Sequence, residues 1–311
     1  MSPIHQDRSA DTAVEVMASL PPPSAPDESG VAAGYRAGRT LRFGVEMRRQ
    51  LKRRRTQLTV GLMVLLPVIL VIAFAFGGRP IGGRRGTTRG SIVDLAQDSA
   101  GNFAMVTVIF SATFLLTVVI ALFFGDTIAS EASWSSLKYL LALPVPRIRL
   151  LRQKIVAAAS LSAMSILVLL LTAFLLGGIM YGFGPLNTPV GDTLGMPATI
   201  GRLLTVLVYV LVQLSWVGGL AFLLSVSTDA PLGAVGGAVM LTIVSQILDQ
   251  IDALEDIRNW LPTHYALAWT GTLADPIRWD DMIRGGFAGL AYAVLFFTLG
   301  VLKFRRKDVT S

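Results

Sequence analysis

Two histidines, His5 and His264, are the only imidazoles in a sequence of 311 residues, and it contains no cysteine. Disulfides, thiolate metal sites and cysteine nucleophiles are therefore excluded. Neither histidine lies in an apolar run, which argues against a histidine-based protease working inside a bilayer. The long uncharged runs hold no Asp or Glu, so an intramembrane aspartyl dyad and the carboxylate relays of proton- or sodium-driven carriers have no residues to work with. None of the five lysines (Lys52, Lys138, Lys154, Lys303, Lys307) follows a glycine, which removes the G-x-x-x-x-G-K-[ST] phosphate loop. The sequence thus offers no catalytic residue, metal site or cofactor site of its own. If the chain moves a substrate uphill, another polypeptide must hydrolyse the fuel.

The polar groups left inside the apolar runs are neutral: Thr107, Ser111, Thr113 and Thr117, then Gln213 and Ser215, then Ser245 and Gln246. Of these, Thr113, Thr117, Gln213, Ser215 and Gln246 are the candidates for lining a path taken by an amphipathic substrate. The competing reading is that each bonds to a neighbouring helix or to its own backbone. A second set of candidates lies in Gly125–Lys154, a long polar interruption between two apolar runs. Asp126 is placed to cap a helix whose apolar positions Ile128, Trp134, Leu137 and Leu141 fall near helical spacing, with Glu131, Ser135 and Lys138 toward another side. Pro144 and Pro146 end it. A short amphipathic helix of this kind suits docking to a soluble partner.

The elements that must position these residues follow from composition. The chain is 53% hydrophobic and only 15% charged, the balance of a polytopic membrane protein. Its net charge of +7 comes from basic residues crowded at the ends of apolar runs, where they act as topology signals and do not indicate nucleic acid. Six uncharged runs predict six transmembrane helices, at about 57–77, 103–125, 155–178, 203–226, 231–248 and 285–302, within a membrane domain over 56–303. Residues 1–34 read as a disordered tail without a signal peptide, and 304–311 as a short second tail. The basic segment 35–55 fits an amphipathic helix in the membrane interface, or equally a positive anchor that only fixes orientation. With both termini inside, the cytoplasmic segments hold 18 Lys and Arg against eight outside. That orientation is favoured despite four arginines between Gly77 and Gly90. The glycine pairs Gly233/Gly237 and Gly285/Gly289 are spaced for close helix contact.

The outer segment 249–284 mixes acids with Trp260, Tyr265, Trp269 and Trp279. Short helices dipping into the outer interface are expected there. Its acids read as a solvated face, with cation capture as the alternative.

After the second run the sequence reads SEASWSSLKYLLALPVPRIRLLRQK. This resembles the membrane subunits of ATP-binding-cassette exporters of the type-2 permease family. In that family a Gly-Glu, a Gly-Thr-Leu, a leucine-rich turn ending in proline, and a lysine about ten residues on occupy this place. Glu131, Leu137, Pro144 and Lys154 match, while Ser130 and Ser135-Ser136 replace the glycine and the Gly-Thr pair. VEMRRQLKRRRTQL is similar to the family's interfacial helix, STDAPLGAVGGAVML to its inner turn, and LPTHYALAWTGTLADPIRWDDMIRGG to its last outer segment. The resemblance covers about Leu41 to Lys307.

It implies an all-α permease with six spans, in which 126–143 is a coupling helix seated on a separate ATPase subunit. Trp134, Leu137 and Leu141 would be its apolar anchors, and Glu131 and Lys138 its polar contacts. It further implies two copies of the ATPase, which supplies the ATP and Mg chemistry, and a second permease subunit forming a homodimer. The setting would be the plasma (inner) membrane, and the origin bacterial. A hydrophobic or amphipathic cargo such as a drug, antibiotic or lipid is expected. The alternatives are a membrane scaffold that recruits a cytosolic protein and a passive channel.

Overall fold

The computed structural model describes residues 43–77, 92–133, 147–188 and 192–306. The expected tail over 1–34, the loop containing Gly86, the stretch with Trp134, Leu137, Lys138 and Leu141, and the last residues from 307 lie outside the described residues.

The basic segment before the first span contains α1 (Phe43–Leu51), which buries none of its residues. Glu46 in its first turn accepts from Arg49 Nη2 at 3.0 Å and Gln50 Nε2 at 2.9 Å, one helical turn on. After a break at Lys52 and Arg53 the chain enters α2 (Arg54–Gly77), the first span. A short α3 (Ile92–Ala96) leads to α4 (Ala100–Ala112), whose N-cap Ser99 accepts from the Asn102 amide at 3.3 Å.

The second apolar run is not one straight helix. α4 and α5 (Leu115–Ser133) meet at a 61° bend. The bend has an identifiable cause in a side chain inserted from elsewhere: Gln246 Nε2 donates to the Thr113 carbonyl at 2.8 Å, just where the ladder breaks. Thr107 and Ser111 bond back to carbonyls one turn earlier, at 2.8 and 3.2 Å, which also favours bending.

α5 then runs through Asp126 without interruption to Ser133. Asp126 is therefore a mid-helix residue and does not open a new helix. Its carboxylate is drawn to arginines across the bundle, and Gly125 lets Val235 approach so closely that an added Cβ would sit 2.8 Å from its side chain.

α6 (Arg147–Tyr181) carries Arg149, Arg152 and Lys154 within its first turns and extends past both ends of the expected span. β1 (Leu186–Asn187) pairs antiparallel with β2 (Thr193–Leu194). α7 (Met196–Gln213) and α8 (Ser215–Ser227) then form one span with an irregularity at Leu214. α7 begins seven residues before the expected start, because Pro197 is suited to the first turn of a helix. α9 (Pro231–Asp249) follows after a three-residue turn. The segment beyond it forms two 3₁₀ helices, Asp252–Trp260 and Ala268–Leu273, and α10 (Asp280–Arg306) is the last span.

Among the described residues, five helical spans are long and apolar enough to cross a membrane, or six if the bent α4–α5 pair counts as one. α8 lies against α5, α9 and α10, while α6 packs against α2, α4 and α5. Glycines let these backbones close up: a Cβ on Gly289 would sit 2.7 Å from the Gln213 carbonyl, and one on Gly219 3.1 Å from the Ala293 carbonyl. Gly285 abuts Tyr209 and Tyr265, and Gly237 faces Leu224, so both glycine pairs contribute to contacts inside this chain. Gly233 meets only its own turn.

Candidate functional site

The structure sorts the candidate residues into two places at opposite ends of α5. At one end, Asp126 receives Arg55 Nη1 at 2.5 Å and Arg53 Nη1 at 3.3 Å. Lys154 and Gln50 are among the residues that wall the space around it, a cavity of about 20 Å³. One turn beyond Asp126, Ser225 Oγ on α8 accepts from the backbone amides of Ile128 and Ala129, at 3.1 and 3.0 Å. The end of α5 is thus tied to the α1–α2 junction by charge, to α8 by hydrogen bonds, and to α9 by the Gly125–Val235 approach. Glu131 lies in the last turn of this anchored helix. The other members of the set, Trp134, Leu137, Lys138 and Leu141, follow it outside the described residues.

At the other end lies the α4–α5 bend. Thr113 and Gln246 are brought together there and line a cavity of about 360 Å³ with Asp249, Gln250, Thr263 and His264. His264 Nδ1 and Asp249 Oδ1 are 2.6 Å apart, and the hydroxyls of Ser245 and Thr263 share a hydrogen bond of 2.7 Å. The remaining candidates are used elsewhere. Thr117 is buried and donates to the Thr113 carbonyl at 3.3 Å. Gln213, only 2% exposed, donates to the Pro262 carbonyl at 2.9 Å. Ser215 donates to the Val212 carbonyl at 2.7 Å. Gln213 fastens the segment above the bundle, Thr117 and Ser215 bond back to their own backbone, and none of the three lines this cavity.

Sequence reasoning missed the part played by Arg202, which it counted only as a flanking charge. Arg202 is buried inside α7, and its Nη1 donates to the carbonyls of Thr272 and Ala274. Its Nη2 reaches Asp275 Oδ1 at 3.3 Å. A guanidinium can satisfy several acceptors from one fixed fork, and here it clips the 3₁₀ segment onto the helix. Pro197 was the available signal, because a helix starting there places Arg202 more than a turn inside. Among the acids of this segment, Asp252 pairs with Arg258 at 2.8 Å. No group of three metal-ligating side chains occurs among the described residues.

A buried apolar bundle, small-residue contacts and polar groups spent on fastening helices define a multi-pass helical membrane protein. The model of a family described as ABC-2 family transporter protein matches residues 48–227, and the chain belongs to that family. It is accordingly a type-2 permease, the membrane component of an ABC transporter, and not an enzyme. No curated protein matches the chain. The matched residues run from α1 through α8, so α9, the 3₁₀ segment and α10 lie beyond them.

Proposed function

We propose that this chain is the permease subunit of an ATP-driven exporter for a hydrophobic or amphipathic substrate such as a drug, antibiotic or lipid. Two copies form the translocation path in the plasma (inner) membrane of a bacterium, with both termini cytoplasmic. Two separate ATPase subunits bind below them and supply the ATP and Mg chemistry. The observation that carries this reading is the family match over 48–227, because it spans the 126–143 segment and the helices on either side of it.

The geometry supports a lever. Residues 134–146 join α5 to α6, and α5 is fastened to three other elements around Asp126 and Ser225. A push from Glu131, Trp134, Leu137, Lys138 or Leu141 that arrives at the Ser133 end of α5 would reach the bend at Thr113 through that helix. There Thr113 and Gln246 border the space best placed to receive cargo.

The test is to isolate the tagged chain from its native membrane, identify what remains bound by mass spectrometry, and assay ATP hydrolysis with and without Glu131→Ala or Leu137→Ala. A bound cassette ATPase whose stimulation falls in the variants, with membrane insertion unchanged, supports the reading. A partner without nucleotide chemistry favours the scaffold, and flux without nucleotide the channel. Accessibility tags at the N-terminus and at Gly86 should report opposite sides of the membrane.

A further inference from the structure

We infer that the face of α10 beneath the Asp252–Trp260 ledge binds one phospholipid, with Arg284 holding its phosphate and an acyl chain lying along the helix. A cavity of about 520 Å³ opens there, and it shares no lining residue with the cavity at Thr113 and Gln246. Arg284, Ala288, Ala291 and Leu295 recur every three or four residues and so form one stripe of α10. The two alanines leave a trough between Phe287 and Leu295. The opposite wall comes from Trp260 and Tyr265. Tyr292 Oη donates to the Trp260 carbonyl at 2.8 Å and fastens the ledge to the helix.

Three observations name the occupant. The stripe from Arg284 to Leu295 rises roughly 16 Å at the α-helical rise per residue, about half of a bilayer's hydrocarbon thickness. That is the depth of one leaflet, so a chain in the trough would have its headgroup at Arg284. Arg284 is exposed at the mouth and makes no ion pair or hydrogen bond among the described residues, although Asp280 and Asp281 precede it within a turn. Arg202 and Arg258 in the same layer are both paired to carboxylates. A guanidinium at the edge of an apolar groove is best served by phosphodiester oxygens, which match its fork. Trp260, 77% exposed, and Tyr292 are residue types that favour the headgroup layer.

In the proposed orientation the site faces the outer leaflet, but its existence requires neither transport nor ATP. The experiment titrates the purified intact chain, without nucleotide or ATPase, with phosphatidylglycerol and with diacylglycerol of the same acyl chains. Bound lipid is counted by native mass spectrometry. The expected result is one retained phosphatidylglycerol, bound roughly tenfold or more tightly than diacylglycerol. Arg284→Gln should erase that preference. Ala291→Trp should exclude both lipids by filling the trough, while Val294→Trp, on the exposed face beside it, should leave both unchanged. Unaltered preference in Arg284→Gln, unaltered binding in Ala291→Trp, or full displacement by inorganic phosphate would overturn the site. None of those results bears on the permease reading, which is tested through the ATPase.

Discussion

At the Asp126 end of the bundle one carboxylate gathers two arginines beside a space of about 20 Å³, whereas at the opposite end separate polar pairs are distributed around cavities of about 360 and 520 Å³. Both ends use ordinary polar chemistry. The first concentrates it on α5, where Arg53, Arg55 and Ser225 all bind within about one turn. The second spreads it along a peripheral layer: Gln213 holds Pro262, Tyr209 Oη donates to the Tyr265 carbonyl at 2.6 Å, and Arg202 holds Thr272 and Ala274. A close-packed, charge-tied end passes displacement on with little loss, because packed interiors are not continuously deformable. An end with open volume can change shape. α5 joins the two, and its bend at Thr113 is where stiffness gives way to space.

Substitutions at each end should break or sharpen this contrast. The largest effect is expected from Arg202→Met, which preserves length and apolar bulk but leaves two carbonyls without their donor. A loss of about 3 kcal/mol should appear as a lower unfolding midpoint in detergent. If the midpoint holds, the peripheral layer is not fastened by this arginine. Asp126→Asn should cost less, about 1–2 kcal/mol, because Arg55 is largely solvent-exposed and the pair is screened. Its diagnostic is a double-mutant cycle with Arg55→Gln, in which non-additivity is expected and simple additivity would dissolve the tie. Gln246→Leu should change global stability least, by under about 1 kcal/mol. Backbone hydrogen exchange should nevertheless fall around residues 114–118 as the helix ladder closes over the freed Thr113 carbonyl, and unchanged exchange there would assign the bend to the helix's own sequence.

The spans were legible because membrane helices announce themselves as long charge-free runs, and Gly285/Gly289 were legible because close packing needs small residues one turn apart. Helix ends were less so. Asp126 has the chemistry of a cap and in the fold is an ion-pair partner, and only the location of Arg53 and Arg55, 73 and 71 residues away, decides between those roles. The bend at Thr113 depends on Gln246, 133 residues further on, and no local pattern encodes it. The path candidates divided for the same reason: a glutamine in a span reads identically whether it faces a cavity, as Gln246 does, or a carbonyl of a buried layer, as Gln213 does. The Asp249–His264 contact escaped notice because it joins residues across a 3₁₀ segment that has no periodicity to read.

The central place of α8 has a consequence for biogenesis. The span containing it is 67% buried, against 17% for α9 and 22% for α10. Only Thr228, Asp229 and Ala230 separate it from α9, so the two must enter the bilayer together as a hairpin. α10, whose Gly300 packs on Phe222 of α8, is made last, after the 3₁₀ segment. Until it is synthesised, the face of α8 that it covers must lie open to lipid, and a chain cut short before Asp280 would be a stranded insertion intermediate for quality-control proteases to remove.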